Sequence, residues 1–116
     1  CALKAKLTAF EWDDRAKAAA GAKLIVNATS LGLNGKDPLD APAEHAAPNA
    51  IAFDLVYKPL KTHFLHSAES EGLQAVDGLG MLIYQAAAAF EIWFGKKPDA
   101  EAGRQAALAQ LGGAPQ

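Results

Sequence analysis

The chain has 116 residues, 51% hydrophobic and 21% charged, an ordinary balance for one soluble domain long enough to bury a core. Its formal charge of -2 comes from 11 basic and 13 acidic side chains in no long run of either sign, so the basic patch of a nucleic-acid or anionic-membrane binder is missing. Cys1 is the only cysteine, which excludes an intramolecular disulfide and a cysteine-based zinc site and points to a reducing cytoplasm. No apolar run approaches the roughly 18 residues of a membrane span, and no signal-peptide pattern opens the chain.

Residues 7–10 form the first short apolar run and are expected to be a strand. Residues 13–20, rich in Ala and closed by Gly21, predict a helix. A second strand is expected at 24–27, followed by a Gly/Pro-rich connection over 32–48 with about one helical turn. A third strand is expected at 51–56, a helix at 61–71 closed by Gly72, and a fourth strand at 73–76. The apolar runs beginning at Leu24, Ile51 and Leu73 are continuous rather than alternating, which predicts strands covered on both faces. Helices follow at 79–94 and 100–111, and the tail 112–116 is expected to fray.

The helix at 79–94 has the clearest signals. Asp77 is placed to cap its start, and Gly95-Lys96-Lys97-Pro98 closes it with positive charge and a breaker. Leu79, Leu82, Ile83, Ala86, Phe90 and Trp93 share one face and are expected to pack into the core. Gly78, Met81 and Gln85 line up on a neighbouring face, an unusual grouping of a small residue, a thioether and an amide. Strands alternating with helices predict an α/β fold with a parallel sheet.

In such sheets ligands bind at the carboxyl ends of the strands. Three polar clusters stand there: Asn27-Ala28-Thr29-Ser30-Leu31-Gly32, Asp54-Leu55-Val56-Tyr57-Lys58-Pro59 and Asp77-Gly78-Leu79-Gly80-Met81 with Gln85 beyond it. Each has a bland reading alone. Asn27, Thr29 and Ser30 are common turn and cap residues, Tyr57 could be a half-buried aromatic, and Gln85 a surface amide. Gly78-x-Gly80 is a poor phosphate loop because Ile83 stands where a third glycine belongs; it reads better as a close approach of a ligand or backbone to the helix start. Other candidates are weaker. His63 and His66 lack a third metal ligand, His45 sits in a loop, and Trp12, Trp93 and Phe94 read as packing residues. No hydrolase triad or Walker sequence stands out.

Taken together and in order, the clusters resemble the shikimate dehydrogenase family. The stretches 24–32, 53–60 and 76–86, continuing through Phe90-Glu91-Ile92-Trp93-Phe94-Gly95, are similar to that family's C-terminal blocks and cover nearly the whole chain. The resemblance implies a Rossmann-like NADP-binding domain over residues 1–98, then a C-terminal helix and tail over 99–116 that would return to a substrate domain. It implies reversible reduction of 3-dehydroshikimate to shikimate, a step of aromatic amino acid biosynthesis, with NADP as cofactor. Asn27, Thr29 and Ser30 would flank the cofactor, the backbone of Leu55 and Gly78 would contact its nicotinamide end with Met81 nearby, and Tyr57 and Gln85 would hydrogen-bond the small-molecule substrate.

The family's catalytic Lys and Asp, its glycine-rich phosphate loop and its 2′-phosphate motif match nothing here and are expected upstream of Cys1. Together with a start that has no Met and runs at once into an apolar stretch, this predicts a piece of a longer enzyme, inactive alone. In the Rossmann strand order 3-2-1-4-5-6 the four expected strands are the third to the sixth. The strand at 24–27 would then be a bare edge, covered by a missing N-terminal segment or by a second copy. Two alternatives remain. A quinate/shikimate dehydrogenase shares these blocks, and a non-catalytic Rossmann-derived module could use the sheet edge to bind a partner. Retention of Asn27, Thr29, Tyr57 and Gln85 favours the enzyme.

Overall fold

The computed structural model describes residues 6–41 and 43–111. The expectations for Cys1 and for the tail 112–116 lie outside the described residues. A short 3-10 turn, Trp12–Asp14, leads into α1 (Arg15–Ala19), followed by β1 (Leu24–Asn27), β2 (Ile51–Asp54), α2 (His63–Ser70), β3 (Gln74–Val76), α3 (Leu79–Phe94) and α4 (Ala100–Gln110). The strands form one parallel sheet in the order β1-β2-β3, with Leu24 opposite Ile51 and Ile51 opposite Gln74. This is the expected α/β architecture. Every strand therefore ends on the same edge, where the polar clusters begin.

The sheet's register divides its side chains between two faces. Ile25, Ala52 and Ala75 point to the face covered by α2, where Phe64, Leu65 and Ala68 join Leu39, Ala43, Ala50 and Leu73 in the core. Thr62 starts α2 as its N-cap: its hydroxyl oxygen accepts from the Leu65 N–H at 3.3 Å. Leu24, Val26 and Ile51 point the other way and are exposed, Leu24 by 57% and Val26 by 44%. The expectation of strands covered on both faces is thus corrected. Among the described residues one helix, α2, lies across the sheet, whereas α3 and α4 pack chiefly on each other.

Residues 7–10 are not a strand. They are exposed and carry no regular structure, because a strand needs a hydrogen-bonding neighbour and none lies beside them among the described residues. The expected core stripe of α3 is also corrected. Only Leu79 is buried; Leu82 and Ile83 are half-buried, Ile83 beside Gly103 of α4, and Phe90, Trp93 (74%) and Phe94 face outward. Trp12 is exposed as well, its ring under the Arg15 guanidinium at 4.8 Å. An apolar period marks a face that wants a partner, but it cannot say whether the same 116 residues supply one.

The end of α3 follows expectation. Gly95 adopts a left-handed conformation (φ 69°) and its N–H donates to the Glu91 carbonyl at 2.8 Å. α4 begins with Asp99 accepting from the Ala102 N–H at 3.1 Å. Inside α4, Gly103 faces Ile83, and a methyl group there would meet Ile83 Cγ2 at 3.8 Å, an ordinary contact. Gly103→Ala should therefore stabilise the fold by roughly 0.5–1 kcal/mol by removing glycine's unfolded-state freedom. A urea midpoint that rises with an unchanged m-value would show this.

Candidate functional site

The carboxyl edge of the sheet is built on a buried hydrogen-bond cluster centred on Asp54. This carboxylate is 0% exposed, and its partners come from three elements. Oδ1 accepts from the Asn27 side-chain amide at 3.0 Å and from the Val56 N–H at 2.9 Å; Oδ2 accepts from the Thr62 hydroxyl at 2.5 Å. Asn27, 1% exposed, also donates to the Leu31 carbonyl at 3.0 Å, while its own oxygen accepts from the Thr29 N–H and hydroxyl at 3.0 and 2.6 Å. The Thr29 hydroxyl oxygen in turn accepts from the Leu31 N–H at 3.1 Å. One side chain thus ties the end of β1, the end of β2 and the start of α2 together. Burying a carboxylate is tolerable here because its hydrogen bonds replace the lost water.

Above this frame lies a groove of about 310 Å³ lined by Ala28, Thr29, Ser30, Leu33, Leu55, Val56, Tyr57 and Lys58. It brings together four of the residues singled out from the sequence: Thr29, Ser30, Leu55 and Tyr57. Asn27 does not line it; its side chain is committed to the frame beneath. Tyr57 also borders a second cavity, of about 330 Å³, with Asn34, Gly35, Lys58, Pro59, Leu60 and Leu111. The Lys58–Pro59 peptide is cis, and the Lys58 carbonyl accepts from the Asn34 N–H at 2.6 Å.

The third cluster meets the second through backbone. A Cβ on Gly78 would overlap the Leu55 carbonyl and come within 2.7 Å of the Asp54 carbonyl oxygen. The start of α3 therefore rests directly on the end of β2, as only glycine permits, which matches the close approach read from Gly78-x-Gly80. Met81 and Gln85 follow on α3, exposed and outside the lining of the groove.

Sequence reasoning missed Thr62 and the organising role of Asp54. Thr62 carried a usable signal, a hydroxyl residue in the opening turn of the helical stretch expected at 61–71, where it could have marked the helix start. Asp54 did not, because a carboxylate after a strand is usually solvated. His63 and His66 are exposed, and no group of three His, Cys, Asp or Glu among the described residues is placed to hold a metal ion. Among the described residues no helix is long and apolar enough to cross a membrane.

Known dehydrogenases are similar to this chain both in sequence and in fold. The family described as Shikimate 5'-dehydrogenase C-terminal domain matches residues 78–108. A shikimate dehydrogenase (NADP(+)) of Paracoccus denitrificans is 47% identical over 97 residues, 84% of this chain and 34% of that protein. The chain matches the C-terminal region of the shikimate dehydrogenase family. It spans about a third of the length of the curated relatives it matches. The structure of the Thermus thermophilus shikimate 5-dehydrogenase, solved with NADP(H) and shikimate, superposes with a TM-score of 0.69 at 42% identity, covering 80% of this chain and 35% of that one. A quinate dehydrogenase from Corynebacterium glutamicum, solved with NAD, gives a TM-score of 0.70 at 32% identity over 83% and 34% of the two chains. These likenesses to shikimate dehydrogenase structures identify the parallel sheet and its helices as Rossmann-like.

Proposed function

We propose that this chain forms the nicotinamide side of an NADP-dependent oxidoreductase that interconverts 3-dehydroshikimate and shikimate in the cytoplasm. The observation that carries this reading is the meeting of Thr29, Ser30, Leu55 and Tyr57 in one groove beside the Gly78 seat. The groove and the glycine seat fit one end of a dinucleotide; the phosphate-binding loop for the rest has no counterpart in this sequence. The cofactor, when bound, supplies or accepts the hydride.

Residues 1–98 do the cofactor-side work in this reading. Thr29 and Ser30 flank the cofactor on a loop whose shape Asn27 holds from below. The backbone of Leu55 and Gly78 faces the nicotinamide end, with Met81 packed nearby. Tyr57 and Gln85 hydrogen-bond the substrate, a polyhydroxylated acid that needs donors and acceptors at fixed positions. The proton-transfer Lys and Asp come from another part of the whole enzyme. The likeness to a quinate dehydrogenase favours quinate as the second reading of the substrate.

The test is a chimera in which this chain follows the N-terminal two-thirds of the Paracoccus relative, assayed beside the chain alone. Shikimate-dependent formation of NADPH by the chimera, and none by the chain alone, is expected. A folded chimera with no turnover on shikimate or quinate would refute the reading. Turnover by the chain alone would move the proton-transfer group into these 116 residues, with Lys58 and Tyr57 the first to substitute.

A further inference from the structure

The groove and the glycine seat leave one strong interaction unexplained. Arg104, on the second turn of α4, reaches back 27 residues to Asp77 at the junction of β3 and α3. Its fork donates to both carboxylate oxygens, Nη2 to Oδ2 at 2.8 Å and Nη1 to Oδ1 at 3.3 Å, and both side chains are less than one-third exposed. The same Oδ1 accepts from the Leu79 N–H at 3.1 Å, so Asp77, one residue before the Gly78 N-cap, holds the first N–H of α3 while it is held by α4. The residue between Asp77 and Leu79 is Gly78, whose seat on the Leu55 and Asp54 carbonyls has no slack. At its other end α4 leads into Leu111, which lines the cavity beside Tyr57. α4 thus straddles the site edge without lining its groove.

A two-pronged charge-assisted contact constrains orientation as well as distance, which a packed methyl group does not. The hydrogen bonds to Asp77 also hold the Arg104 guanidinium above its ordinary pKa. We propose that Arg104 is a positioning residue: through the carboxylate of Asp77 it fixes the first turn of α3, and with it Gly78 and Met81, at the nicotinamide end of the site. The inference rests on the oxidoreductase reading above and adds to it a residue outside the groove.

The experiment compares Arg104→Ala, Arg104→Lys, Asp77→Asn and the double variant R104A/D77N in the chimera, with kinetics and thermal unfolding read side by side. Misplacing the start of α3 should lower kcat/KM for NADP+ in Arg104→Ala between about tenfold and a hundredfold. Arg104→Lys should recover only part of this, since an ammonium cannot bridge both oxygens. The double variant should be no worse than Arg104→Ala, because both changes remove one interaction. Unchanged kinetic constants with a lowered Tm, or losses that add in the double variant, would overturn the proposal.

A wild-type chimera without activity would sink the functional reading, and the positioning role would then be decided on the 116-residue chain by amide hydrogen exchange. The Leu79 N–H bonds to Asp77 and the Leu82 N–H to the Gly78 carbonyl, whereas the His66 N–H bonds to Thr62 within α2. Arg104→Ala should speed exchange at Leu79 and Leu82 at least about tenfold with His66 unchanged, as expected for local opening. Equal rates at all three would refute it.

Discussion

Gly78→Ala is expected to cost roughly 3 kcal/mol, the upper part of the range for overpacking a closed contact. The backbone angle is not the reason, since φ at Gly78 is -81°, a value open to any residue. The cost is steric. The added methyl would sit on the Leu55 carbonyl and within 2.7 Å of the Asp54 carbonyl oxygen. Main-chain atoms at the end of a paired strand cannot step aside as a side chain can, so α3 must lift off the end of β2. Denaturant unfolding should show a lower midpoint, and the Leu79 amide should lose protection. Wild-type stability in the variant would mean that α3 docks less closely than 2.7 Å implies.

Asp54 should be as sensitive for a different reason. Asp54→Ala removes the common acceptor of the Asn27 amide, the Val56 N–H and the Thr62 hydroxyl, leaving donors unpaired in a site closed to solvent. At about 1–3 kcal/mol for each group left without a partner, a loss of roughly 4 kcal/mol is expected, enough to unfold much of a marginal domain. Asp54→Asn keeps an oxygen for Asn27 and Val56 and turns an amide toward Thr62, whose hydroxyl can rotate to accept. About 1–2 kcal/mol is expected for it. Equal losses in the two variants, measured by chemical denaturation, would show that charge matters here and the hydrogen-bond count does not.

The two sites also show what could be read from the residues alone. The parallel sheet was legible because Leu24, Ile51 and Leu73 each open a short apolar run separated by helical stretches and glycines. The gathering of Thr29, Ser30, Leu55 and Tyr57 followed from the rule that parallel strands end on one edge. Gly78 was legible as a close approach because Ile83 ruled out the phosphate-loop reading. Asp54 and Thr62 were not, because a buried carboxylate held by neutral donors leaves little local pattern; beyond the Val56 N–H two residues on, its partners are 27 residues before and 8 after it. The strand expected at 7–10 and the core stripe of α3 failed on common grounds. Hydrophobic periodicity records which surfaces are to be covered, and Leu7, Trp93 and Phe94 are exposed here.

The seat between β2 and α3 divides the labour of its residues. What bars a side chain at 78 is the carbonyl oxygen of Leu55, an atom every amino acid carries, while Leu55 is also part of the groove lining. Position 78 is therefore locked and position 55 is free. A lineage, or an engineer, can resize the groove at 55 while the helix stays docked against the same two oxygens. The lining of the groove can change at this edge without the architecture changing with it.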